Sequence, residues 1–245
     1  MTSRRGLIGC GLAALAMAGA ARAEDGGAPH AMQRLPPDPT PRAQALDTPA
    51  LKGNSLARGF KQPPAGLAVP KVKIEQASGT RDLRFQPGLT LVSLWAPWCA
   101  PCLRELKDFA EVHQAYDGKR FRILPVLTGP KTEITLGEAQ ALLGKVGAGG
   151  LEAVIDRSPG SRALYEALTE HLLPTGSVGR NLPCNLLVDS DGRVLGRQFG
   201  ASLDLSLKPD QTPTPEMMAN ARTKWASAEG AALLGALQRG EIAKA

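Results

Sequence analysis

Leu89-Thr90-Leu91-Val92-Ser93-Leu94-Trp95-Ala96-Pro97-Trp98-Cys99-Ala100-Pro101-Cys102-Leu103 is the stretch on which the reading of this chain turns. Residues 89–94 are almost all apolar or β-branched, which predicts a buried strand. After Cys99, apolar residues recur at Leu103, Leu106, Phe109 or Ala110, and His113 or Tyr116, which is helical spacing, and the run ends near Asp117-Gly118. The two thiols therefore open a helix one turn apart, where they can close a disulfide or separate as a dithiol. Cys99, at the helix start, faces the positive end of the macrodipole and unpaired backbone N–H groups, which favour its thiolate and nucleophilic attack. Cys102 lies deeper and is placed to resolve a mixed disulfide. Pro101 falls in the first turn, where its missing N–H removes no intrahelical bond. Half of a zinc site would need two further ligands at compatible spacing, and the chain offers only Cys184 and three scattered histidines. Haem attachment would need His directly after the second Cys, where Leu103 stands.

Working outward, 72–75 and 82–85 read as edge strands and 121–127 as a further strand. Thr135-Leu136-Gly137-Glu138 has the form of a capping box, and Leu136, Ala139, Leu142, Leu143 and Val146 give the helix behind it an apolar stripe that glycines 147, 149 and 150 stop. Residues 151–155 read as a short strand, and Ser158-Pro159 opens a helix with Leu164, Leu168 and Leu172 on one face. Residues 186–188, the turn Asp189-Ser190-Asp191-Gly192 and residues 194–199 form a hairpin, and a last helix starts at Thr214-Pro215 and runs toward Leu237. Strands alternating with helices predict a three-layer α/β domain of about 150–170 residues with a central mixed sheet. The expected organisation is a segment 1–23, a Pro-rich linker or surface arm 24–71, the domain 72–205, and a C-terminal extension with a helix, 206–245.

The first segment has the pattern of an export signal: Arg4-Arg5 precede an apolar stretch, and Ala21-Arg22-Ala23 is a small-x-small cleavage pattern. Ser3-Arg4-Arg5-Gly6-Leu7-Ile8 resembles a twin-arginine motif. Cleavage discards Cys10 and leaves Cys99, Cys102 and Cys184, an odd count that cannot all pair within one chain. No apolar run reaches the roughly 18 residues of a spanning helix, so the mature chain is expected to carry no membrane span. The 245 residues, 43% hydrophobic with 4 Cys, exclude a disulfide-stapled toxin, a collagen-like fibre and wholesale disorder. Of 29 basic residues three lie in the first 22, leaving 26 against 23 acidic, and aromatics make up 4%, which argues against a nucleic-acid partner.

With Arg104-Glu105-Leu106 added, residues 91–106 resemble the active-site segment of the exported thioredoxin-like TlpA/ResA/CcmG family, and motif order extends the resemblance over roughly residues 72–201. The resemblance implies a thioredoxin-like fold and a periplasmic thiol:disulfide oxidoreductase with no cofactor beyond a redox-active Cys99–Cys102 disulfide. It also implies reduction of protein disulfides, in cytochrome c maturation or copper-site preparation, with electrons from a membrane-bound donor. It implies Cys99, Cys102, Glu105 and a cis-proline as catalytic residues, and Trp98 and Leu182 as substrate contacts. Pro183 takes the cis-proline role over Pro174, because it leads directly into Asn185-Leu186-Leu187-Val188 and the Asp191-Gly192 turn. Ser93 stands where general cytosolic thioredoxins carry a buried Asp, and Cys184 where the family has Thr. Glu105, one turn after Cys102, matches a family Glu able to take a proton from that thiol, and the alternative is a solvated helix residue.

Two other functions use the same dithiol. A Cu(I) metallochaperone would hold the ion between the thiolates, although chaperones of related fold generally use C-x-x-x-C with a downstream His. An oxidant in disulfide formation shares every motif and differs only in potential. His113 and His171 fall on apolar helix faces and read as packing residues, with no metal site expected.

Overall fold

The structure, a computed structural model, describes residues 40–116, 118, 120–129, 132–169, 182–205 and 211–243. The expected export signal 1–23 lies outside them, as do His171, Leu172 and Pro174. No helix among the described residues is long and apolar enough to cross a membrane.

In chain order the elements are helix α1 (Ser55–Gly59), strands β1 (Lys73–Gln76), β2 (Gly79–Asp82) and β3 (Leu89–Trp95), helix α2 (Ala100–Tyr116), strand β4 (Phe121–Leu127), helix α3 (Leu136–Lys145), strand β5 (Val154–Asp156), helix α4 (Ala163–Thr169), strands β6 (Cys184–Val188) and β7 (Val194–Phe199), and helices α5 (Pro215–Asn220) and α6 (Ala228–Arg239). The seven strands form one mixed sheet in the order β2-β1-β5-β4-β3-β6-β7. β3 runs parallel to β4 through the α2 crossover and β4 parallel to β5 through α3, whereas β6 and β7 close the sheet antiparallel beside β3. Every residue of β3 is buried, as expected of a central strand with covered faces. The capping box forms as read: Thr135 Oγ1 accepts from the Glu138 amide at 3.2 Å, and Glu138 Oε2 accepts from the Thr135 amide at 2.8 Å.

Four readings of the sequence are corrected. The second edge strand is Gly79–Asp82 rather than 82–85, because a tight hairpin pairs Gln76 with Gly79. The helix read from Ser158-Pro159 is first a 3₁₀ turn, Pro159–Ser161, with Gly160 at φ +66°, and α4 begins only at Ala163.

The Pro-rich stretch is the third. From Thr40 onward it belongs to the same compact unit as the rest of the described chain, so the unit does not start at Val72. Its short turns Gln44–Leu46 and Pro49–Leu51 and helix α1 bury Ala43, Leu46, Leu51, Leu56 and Phe60 in the core. Its extended parts cover the edge of β7: Lys61 and Arg197 exchange backbone bonds of 2.7 and 3.1 Å, and the Val69 amide donates to Gly192 O at 2.8 Å. A β-sheet edge left open would be a template for intermolecular pairing.

The fourth is the C-terminal helix, which is two. Ala221 turns extended after α5 (φ −64°, ψ 134°), Thr223 bridges to Leu203, and Ser227 caps α6 by accepting from the Gly230 amide at 3.4 Å. Trp225, in the 3₁₀ turn Lys224–Ala226 between them, is fully buried, with its ring 6.1 Å from Phe60 and 5.0 Å from Phe109. The extension is therefore part of the core.

Candidate active site

β3 delivers the chain at Trp95, and a short turn, with the Cys99 amide donating to Ala96 O at 3.0 Å, leads into α2. Cys99 flanks the first helical residue and its carbonyl accepts from the Leu103 amide at 3.1 Å, the position of an N-cap. Cys99 and Cys102 form a disulfide with Cα atoms 5.2 Å apart. The pair is 4% and 1% exposed, while Trp98 beside it is 44% exposed, the one large hydrophobic side chain in the open among the described residues.

Antiparallel pairing of β3 with β6 sets Leu94 against Cys184 and Ser93 against Asn185. The entry to β6 thus lies at the same sheet end as the disulfide, and there the Leu182–Pro183 peptide bond is cis, with Pro183 O accepting from the Gly200 amide at 2.9 Å. This is a thioredoxin-like fold.

No protein-family model and no curated protein matches the chain. Among solved structures it is similar to a protein of Chlorobium tepidum assigned as a thiol:disulfide interchange protein DsbE, at 20% identity over 69% of this chain and 95% of that one, with a TM-score of 0.44. It is also similar to the thioredoxin domain of a thiol-disulfide oxidoreductase from Bacteroides vulgatus, at 18% identity over 57% and 91%, TM-score 0.43. A third is StoA from Bacillus subtilis, at 19% identity over 56% and 91%, TM-score 0.38.

Behind the disulfide, Glu105 is fully buried on α2, so the solvated-helix alternative is excluded. Its Oε2 accepts from Asn185 Nδ2 at 2.9 Å and its Oε1 from Trp225 Nε1 at 3.1 Å. Burial pushes its pKa up to about 7, while the bonds from Asn185, Trp225 and the Ser202 backbone pull it back and the nearby Asp108 adds to the rise. Ser93 Oγ and Asn185 Oδ1 are buried without a hydrogen-bond partner among the described residues. Cys184 is a free thiol with no exposed surface, and burial pushes its pKa up, with Glu105 adding and Arg197 opposing.

Leu182, expected as a substrate contact, is only 6% exposed. It lies near Gly129, where an added Cβ would sit 3.7 Å from Leu182 Cδ1 and 3.4 Å from Tyr165 Cδ2. His113 is half-buried at the far end of α2, away from the cysteines. No group of three or more metal-ligating side chains occurs among the described residues.

Sequence reasoning missed Asn185, Ser202 and Trp225 around Glu105. Asn185 sits in an otherwise apolar strand, where an amide needs a buried partner, and that was its only local signal. Trp225 is 120 residues from Glu105 along the chain and had none.

Proposed function

We propose that this protein is an exported thiol:disulfide oxidoreductase of the TlpA/ResA/CcmG type, acting in the periplasm as a reductant of protein disulfides in cytochrome c maturation or copper-site preparation. The observation that carries the reading is the Cys99–Cys102 disulfide in the first turn of α2 with Trp98 exposed beside it.

In the reduced protein the Cys99 thiolate, favoured by the helix start, attacks one sulfur of a substrate disulfide. A mixed disulfide forms, and the departing substrate sulfur leaves as a thiolate that takes a proton from water. Cys102 then gives its proton to Glu105 and attacks Cys99 Sγ, closing the Cys99–Cys102 bond and expelling the second substrate thiolate. Two electrons pass from the dithiol to the substrate, and a membrane-bound dithiol donor returns them. Trp98 supplies apolar contact surface to the substrate chain.

Cys102→Ser is expected to accumulate mixed disulfides with partner proteins and Cys99→Ser to accumulate none, read by non-reducing electrophoresis and mass mapping. Equal trapping by both would reverse the assignment. A potential well above that of glutathione would instead assign the protein to disulfide formation.

A further inference from the structure

Two carboxylates of α2, Glu105 and Asp108, face inward, and one stretch of chain meets both. Residues 202–204 and 222–225 lie antiparallel: the Asp204 amide donates to Arg222 O at 2.9 Å and the Lys224 amide to Ser202 O at 2.6 Å. The Thr223 amide and hydroxyl each donate to Asp108 Oδ2 at 2.7 Å, and Arg222 Nη2 donates to Asp108 Oδ1 at 3.2 Å. Two residues further on, the Trp225 indole N–H reaches Glu105, and the Ser202 backbone reaches the same carboxylate. The indole cannot swing away, because Phe60 meets it edge-on and Phe109 packs against it at a tilt.

We propose that the C-terminal segment is a positioning element for the candidate active site, in which the Trp225 N–H holds the Glu105 carboxylate one turn from Cys102 and decides whether it carries its charge there. The inference rests on the reading of Cys99 and Cys102 as the redox pair and of Glu105 as proton acceptor. A buried carboxylate tends to the neutral form, and a donor fixed toward its oxygen favours the ionised form. The other titratable or charged groups around it are Cys102 and Asp108 on α2 and Cys184 on β6, with Arg197 on β7 acting on Cys184 and Arg222 tied to Asp108 and Glu111. Trp225 is therefore more than a core filler: its ring packs, while its N–H sets the state of the carboxylate.

The two roles separate in a variant with 3-benzothienylalanine at position 225, which keeps the bicyclic shape and replaces the N–H by sulfur, alongside Trp225→Phe. The readout is the infrared band of the protonated Glu105 carboxyl, identified by its loss in Glu105→Gln, followed against pH in the full mature chain. The midpoint near 7 is expected to rise by about one to two pH units in the benzothienyl variant. The pH dependence of the Cys99–Cys102 equilibrium with glutathione is expected to move with it. An unmoved midpoint in the folded benzothienyl variant reduces Trp225 to packing and overturns the proposal. A midpoint that moves while the glutathione equilibrium is the same in wild type and Glu105→Gln overturns instead the role of Glu105 as proton acceptor.

Discussion

Replacing Glu105 by Gln should change how the stability of this protein depends on pH, and the structure supplies the size and sign. Burial raises the Glu105 pKa from 4.5 to about 7, so between these values the folded state holds a proton that the unfolded state has released. Stability due to this group is therefore fully present below pH 4.5 and is lost as pH rises through 7, the reverse of the usual salt-bridged carboxylate. At 1.36 kcal/mol per unit, the loss amounts to roughly 3 kcal/mol. Gln keeps an oxygen to accept from Asn185 or Trp225 and does not titrate, so the wild-type minus variant difference should fall by that amount between pH 4.5 and about 7 and level off above it. The assay is urea unfolding at fixed intervals from pH 4 to pH 9 with the disulfide intact, taking the wild-type minus Glu105→Gln difference at each pH. A difference that is constant across the range would refute the reasoning, because it would mean that Glu105 titrates alike in the folded and unfolded chains.

Cys184 should resist alkylation in the native oxidised protein, because the thiol is buried and burial disfavours its thiolate. Peptide mass mapping that found rapid labelling at Cys184, or a bridge including it, would contradict this. Phe60→Ala should cost about 3–5 kcal/mol in urea unfolding, since Phe60 is fully buried against Trp225. A loss below about 1 kcal/mol would return residues 40–71 to the status of a surface arm.

The central strand, the helix behind Cys99, the capping box and the β6–β7 hairpin were legible in the sequence because each rests on local chemistry. An unbroken apolar run, a 3.6-residue stripe, a Thr and Glu three apart and an Asp-x-x-Gly turn carry their signals within a few residues. The pairing of Cys99 with Cys102 was legible for the same reason. Residues 40–71 were not, because they fill the core through short turns and extended pieces whose buried positions, Ala43, Leu46, Leu51, Leu56 and Phe60, follow no single period. The break between α5 and α6 was equally hidden, since it is made by Thr223 reaching Asp108 across 115 positions of sequence.

Glu105 shows the division most plainly. Its spacing from Cys102 was set by the sequence, but spacing says only that the two share a face of the helix. Whether that face meets solvent or core depended on where a C-terminal tryptophan and a β6 asparagine would fold. Long-range packing therefore decided that Glu105 is buried, hydrogen-bonded and ionised only toward about pH 7.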